Sequence, residues 1–199
     1  MTQKFLKYFT GKQIFVSKPD KEAGVPWHYH DTYKEAEPKL RELEEFGWGS
    51  FFTVNELDHT KDKTKKRTKR MFVRARAVFL DWDNPDKQPP DNFPIKPNIV
   101  VTSSPGKYHF YWLCETTDRE EWEAVMDGLI KTYEGDDQAK DLCRILRLPG
   151  YNHNKNEPFM VNYTVNHEGI YTWDVIKEAF PPVLKSTGEE FGDKPDYKP

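Results

Sequence analysis

Two apolar runs separated by a Pro-Gly pair constrain this chain more than any other feature. Asn98-Ile99-Val100-Val101-Thr102-Ser103-Ser104 precedes Pro105-Gly106, and Lys107-Tyr108-His109-Phe110-Tyr111-Trp112 follows it. Proline presets the second position of a turn and glycine tolerates the positive φ of the third, so the runs are predicted to pair as an antiparallel hairpin with a polar tip. Around that tip Ser103, Ser104, Lys107 and the turn amides form a set of donors suited to phosphate oxygens. His109 shares a strand face with Tyr111 and Leu113 and is expected to emerge beside the turn. The plainer reading of a lone strand histidine is a satisfied structural residue.

Strands are also expected at Ser50–Val54, Val73–Asp83, Tyr108–Cys114 and Phe159–Val165, which are rich in β-branched and aromatic residues. Trp122, Val125, Met126, Leu129, Ile130 and Tyr133 recur at helical spacing and predict a helix over Asp118–Tyr133. Thr117-Asp118-Arg119-Glu120 reads as its capping box and Gly135 as its stop. Shorter helices are predicted over Pro38–Phe46, ended by Gly47, and Trp173–Phe180, ended by Pro181-Pro182. Helices interleaved with strands define an α/β or α+β domain. Residues 184–199 carry no periodicity and read as a polar tail or linker.

The strand Ala77-Val78-Phe79-Leu80-Asp81-Trp82-Asp83 closes on two acids one residue apart. Alternation along a strand sends both carboxylates to one side, their Cα atoms ~6.6 Å apart, with Val78, Leu80 and Trp82 on the other. Two anions on a rigid strand call for a cation between them, and hard divalent ions such as Mg²⁺ or Mn²⁺ are the usual answer. Alternatively, the strand stops at Trp82 and the acids lie in a solvated loop. A third segment, Gly135-Asp136-Asp137-Gln138-Ala139-Lys140-Asp141-Leu142-Cys143-Arg144-Ile145-Leu146-Arg147, places Asp137 and Asp141 four apart and Arg144 and Arg147 three apart. A short helical turn would line up acids and then arginines. The bland reading is an N-cap aspartate with surface ion pairs.

The net charge is only −3, yet Lys61 to Arg76 holds nine Lys or Arg against one acid, Asp62. Such a run is either a solvated loop or a docking surface for a polyanion. No apolar run is long enough to span a membrane, no signal peptide opens the chain, and Cys114 and Cys143 sit in apolar sequence without a CxxC pair. These features lead us to expect a cytoplasmic, reduced protein without structural zinc. Trp27-His28-Tyr29-His30 is similar to the metal-binding pair of rolling-circle replication nucleases, but Pro26 and Asp31 beside it favour a surface loop before a helix.

FLDWD, SSPGKYHFYW and GDDQAKDLCRILRLPGYNHNK, in that order and preceded by GWGSFFTVNELD, resemble the archaeo-eukaryotic primase superfamily, specifically the RepB-like primases of plasmids, phages and mobile elements. The resemblance spans roughly residues 47–163. It implies an RRM-like antiparallel sheet flanked by helices: a catalytic core at 47–183, an N-terminal unit at 1–46 beside it, and one domain over 1–183. It further implies a template-dependent nucleotidyltransferase, a primase or primase-polymerase, working with two Mg²⁺ or Mn²⁺ ions, nucleoside triphosphates, a single-stranded DNA template and primer, and an accompanying helicase or initiator. Asp81 and Asp83 would hold metal together with Asp137, for which Asp136 and Asp141 are alternatives. Ser104, Lys107, His109, Arg144 and Arg147 would contact the nucleotide. Lys65, Lys66, Arg67, Lys69 and Arg70 would contact template. No zinc-binding cysteine cluster and no P-loop accompanies these motifs, so the chain reads as a catalytic module or a piece of a longer replication protein. The rivals are a rolling-circle-type nuclease and a non-catalytic nucleic-acid-binding module.

Overall fold

The protein is described by a computed structural model covering residues 1–183 other than 31, 63–66 and 85. Lys65, Lys66 and the tail 184–199 therefore lie outside the described residues. Helix α1 (Thr2–Leu6) leads to strand β1 (Phe15–Pro19), the short edge strand β2 (Trp27–Tyr29), helix α2 (Tyr33–Glu45), β3 (Trp48–Thr53) and β4 (Glu56–Leu57). Then come the long strand β5 (Phe72–Trp82), the hairpin β6 (Ile99–Ser104) and β7 (Lys107–Thr116), and helix α3 (Arg119–Tyr133). The remainder is β8 (Ile145–Arg147), β9 (Asn152–His153), β10 (Phe159–Met160), β11 (Asn162–Val165) and helix α4 (Trp173–Ala179).

Two antiparallel sheets result, with strand orders β2-β1-β3-β8 and β11-β6-β7-β5-β4, beside a small β9-β10 pair. This is the expected α+β architecture. Pro105 and Gly106 make the two-residue connection between Ser104 and Lys107, and Gly106 takes a φ of +74°. Helix α3 covers the second sheet, with the Trp122 indole donating to the Ala77 carbonyl at 3.0 Å. Between the sheets Phe5 and Phe9 pack edge-on against Phe52, at 5.2 and 5.0 Å, and Phe9 meets Tyr111 at 5.5 Å. Among the described residues no helix is long and apolar enough to cross a membrane.

Local expectations fail at informative places. Helix α2 starts five residues before Pro38, because Tyr33, Ala36, Leu40 and Leu43 form one buried stripe that continues across the proline. Burying Tyr33 and Ala36 offsets the single hydrogen bond to the Lys34 carbonyl that Pro38 cannot make. Helix α3 is capped by Asp118, which accepts from the Glu121 amide at 2.9 Å, one residue later than the expected box. It ends on Glu134 in the left-handed region, φ +53°, rather than on Gly135. The Trp27-His28-Tyr29 run is an edge strand and not a loop, since β1 supplies its partner groups and an edge tolerates the preceding proline. Phe159–Val165 is broken at buried Val161, whose amide donates to Tyr151 and so turns the chain from one strand pairing to another. Cys114 and Cys143 are buried free thiols, both pushed up to about 12 by burial.

The basic run does not form one surface. Arg76 is a buried structural residue: Nε donates to Val54 O, Nη1 to Phe9 O and Thr10 O, and Nη2 to Thr53 O and Asn55 O, over 2.7–3.1 Å. Burial lowers its pKa to about 9, which still leaves it charged at neutral pH. Arg74 pairs with Glu56 and Glu115, and Lys69 with Glu123 on α3. Arg70 is exposed.

Candidate active site

Strand β5 pairs with β7 so that Asp81 lies opposite His109. Asp81 is thereby the last acid still inside the ladder, while Asp83 stands just beyond its end and more exposed. His109 Nε2 lies 3.5 Å from Asp81 Oδ1, and its Nδ1 lies 3.4 Å from the Tyr111 hydroxyl. Burial lowers the His109 pKa to about 4, opposed in part by the Asp81 charge, so the imidazole is neutral at pH 7. It therefore adds no positive charge beside Asp81.

The third segment reaches the same place by its backbone. The Asp136 amide donates to the Asp81 carbonyl at 3.0 Å. Arg144 Nη2 then bridges Asp81 Oδ2, at 2.8 Å, and Asp136 Oδ2, at 2.7 Å. The anticipated helical turn carrying both acids and both arginines does not form. A single 3-10 turn spans Asp137–Lys140, Asp136 and Asp141 bind the amides of Gln138 and Cys143, and the arginines follow on extended chain joined to β3. Side-chain acceptors two residues before an amide favour turns over continued helix.

These groups line a cavity of about 550 Å³. Its anionic wall holds Asp81, Asp83 and Asp141; Asp136 reaches it through Arg144, and Asp137 is not among the lining residues. Its cationic wall holds Lys107, in an ion pair with Asp83, together with Arg144, Arg147 and Arg67. Arg67, read from the sequence as a template contact, therefore faces this cavity, and burial lowers its pKa. Arg147 is anchored: its fork grips buried Asp20 at 2.9 and 2.7 Å, and its plane lies 4.5 Å from the Phe51 ring. Ser103 lines the cavity in place of Ser104, which sits at the hairpin tip. Lys18, His153 and Lys155 also line it and had not been singled out. His153 and Lys155 lie in the NHNK stretch of the third motif, whereas Lys18 and Asp20 sit on or after β1, a strand with no chemical motif.

Among the described residues no group of three His, Cys, Asp or Glu side chains converges as a metal cluster. The donors present nevertheless fit hard divalent ions, being carboxylate oxygens. Arg144 and Lys107 meet the carboxylates where such ions would bind, so ion binding requires them to move aside. His30 and His59 line a second cavity, of about 620 Å³, whose walls contain none of the acids just described.

The family model for the RepB DNA-primase N-terminal domain matches residues 56–174. The chain belongs to that family. The match contains Asp81, His109 and Arg144. A replication protein of Clostridium perfringens is 35% identical over 95 residues, which cover 45% of this chain and 23% of that protein. In fold, the domain is similar to the AEP domain of the cyanophage S-2L primase-polymerase, with a TM-score of 0.75, 14% identity and coverage of 90% of this chain and 96% of that one. It is also similar to the catalytic domain of primase RepB′ in complex with initiator DNA, with a TM-score of 0.64, 16% identity and coverage of 87% and 88%.

Proposed function

We propose that this domain is a template-dependent nucleotidyltransferase that synthesises or extends primers on single-stranded DNA. One observation carries the reading: three separate segments meet at Asp81, where Arg144 bridges it to Asp136 and His109 lies 3.5 Å away, and Asp81, His109 and Arg144 line a nucleotide-sized cavity. The RepB DNA-primase family membership supports it, and the RepB′ neighbour bound to initiator DNA supports DNA as the template.

Asp81 and Asp83 would hold Mg²⁺ or Mn²⁺, with Asp136 or Asp141 completing the set. When bound, two such ions lower the cost of deprotonating a 3′-hydroxyl and stabilise charge on the attacking and leaving oxygens. Neutral His109 packs beside Asp81 without adding a positive charge there. Arg144 and Lys107, released from their carboxylates, exchange one set of anionic oxygens for those of a triphosphate, so the cavity's charge stays balanced through binding. Arg144 and Arg67 offer planar forks suited to phosphate, and Arg147 keeps the wall in place through Asp20.

The test is incubation of the chain with a single-stranded DNA template, nucleoside or deoxynucleoside triphosphates and Mg²⁺ or Mn²⁺, with and without primer. Wild type is expected to give extended products, and Asp81→Ala/Asp83→Ala at least about 100-fold fewer. Equal yields from the two proteins would refute the assignment.

A further inference from the structure

His153 follows buried Tyr151 on the short strand β9, and its ring turns toward the hairpin that carries His109. Nδ1 lies 3.0 Å from the Ser103 carbonyl oxygen. A carbonyl can only accept, so Nδ1 carries the proton and Nε2 presents a lone pair. Burial, then the charge of Arg147, lowers the affinity of the ring for a second proton, although the Ser103 contact opposes this. Nε2 is screened from water and has no hydrogen-bond partner among the described residues, while the ring lines the cavity.

Among the described residues the other unpaired polar atoms in the same wall are donors: Nε and Nη1 of Arg67 and Nε of Arg144. Donors complement phosphate. A neutral acceptor set among them does not; it calls for an O–H or N–H group. Base edges differ between nucleotides, and a template-directed site must take all of them, whereas every nucleotide brings a sugar hydroxyl. We infer that His153 accepts a hydrogen bond from a sugar hydroxyl of the nucleotide held in the cavity, which makes it a specificity-determining residue. This rests on the nucleotidyltransferase reading and deepens it. An acceptor buried without its partner penalises any ligand lacking the hydroxyl more than a solvated one would.

The experiment is calorimetric titration of the whole chain in Mg²⁺ with ATP, dATP, 2′,3′-dideoxy-ATP and inorganic tripolyphosphate. Wild type is expected to bind ATP roughly fivefold or more tightly than the dideoxy compound. The dATP value then assigns the contact to the 2′- or the 3′-hydroxyl. His153→Phe, which keeps a planar ring, is expected to bind all three nucleotides at the dideoxy level and to leave tripolyphosphate within about twofold. His153→Gln, whose amide oxygen can accept, should recover part of the discrimination. A wild type that does not distinguish ATP from dideoxy-ATP, while still binding tripolyphosphate, overturns this inference alone, with no variant needed. So does a Phe variant that weakens tripolyphosphate as much as ATP. Failure of wild type to bind any triphosphate overturns the nucleotidyltransferase reading as well.

Discussion

The Nη2 atom of Arg144 stands 2.8 Å from Asp81 and 2.7 Å from Asp136, so one guanidinium holds together acids more than fifty residues apart. It neutralises the carboxylates proposed above as divalent-ion ligands. Arg144→Met leaves two acids facing each other without a counter-charge, which favours any cation that can enter. Without nucleotide, the variant is expected to bind Mn²⁺ about 3–10-fold more tightly than wild type, measured by electron paramagnetic resonance of the free ion. Its affinity for ATP should fall by a similar factor. Unchanged Mn²⁺ binding would mean that the arginine does not compete with metal.

Arg76 satisfies five backbone carbonyls from the turn after α1 and from the loop between β3 and β4. Truncation to Met would take this partner from all five, and only Phe9 O, which also accepts from Gln13 Nε2, and Thr10 O, which also accepts from Arg74 Nη2, have another side-chain donor among the described residues. A loss of at least about 3 kcal/mol in urea unfolding is expected, since each unsatisfied buried acceptor costs on the order of 1–3 kcal/mol and the losses are not fully additive. Arg76→Lys should fall between, because an ammonium has three donors and not five. A loss under 1 kcal/mol for the Met variant would show that the loop re-pairs elsewhere.

Gly135 matters for space and not for its dihedral angles. A Cβ there would overlap Leu80 Cδ1 and approach the Asp81 carbonyl to 3.5 Å. Gly135→Ala is expected to lower stability by about 1–3 kcal/mol through overpacking. It should also reduce primer extension beyond what the lost stability explains, because Leu80 and Asp81 move together. A variant with wild-type melting temperature and wild-type activity would contradict the close approach.

Lys69 and Arg70 are exposed and follow the cavity residue Arg67 in the basic run. Replacing both with Ala should weaken binding of single-stranded DNA and reduce the slope of log affinity against log salt by up to about 1.4, at ~0.7 per lost phosphate contact. An unchanged slope would place the template elsewhere.

The site was legible where local chemistry and local geometry coincide. Pro105-Gly106 can hardly make anything but a tight turn, which sets His109 opposite Val101, while the long apolar strand β5 pairs on the other side of β7 and sets Asp81 opposite His109. A charge run in sequence says nothing of direction, so it could not foretell that strand β5 sends Arg76 inward or that Arg67 lines the cavity. The acids at 136, 137 and 141 could not be ranked by spacing, since their placement depends on a 3-10 turn and on one backbone hydrogen bond to Asp81. Asp20 and Lys18 carried no signal, because their function follows from sheet pairing between β1 and β3.

Every carbonyl that Arg76 binds belongs to a residue before Glu56, where the match to the primase family begins. A polypeptide trimmed to the recognisable segment would keep Asp81, His109 and Arg144 yet strand a cation in its interior and bare the Tyr111 ring that Phe5 and Phe9 now cover. The segment that the family model matches is thus smaller than the part that can fold.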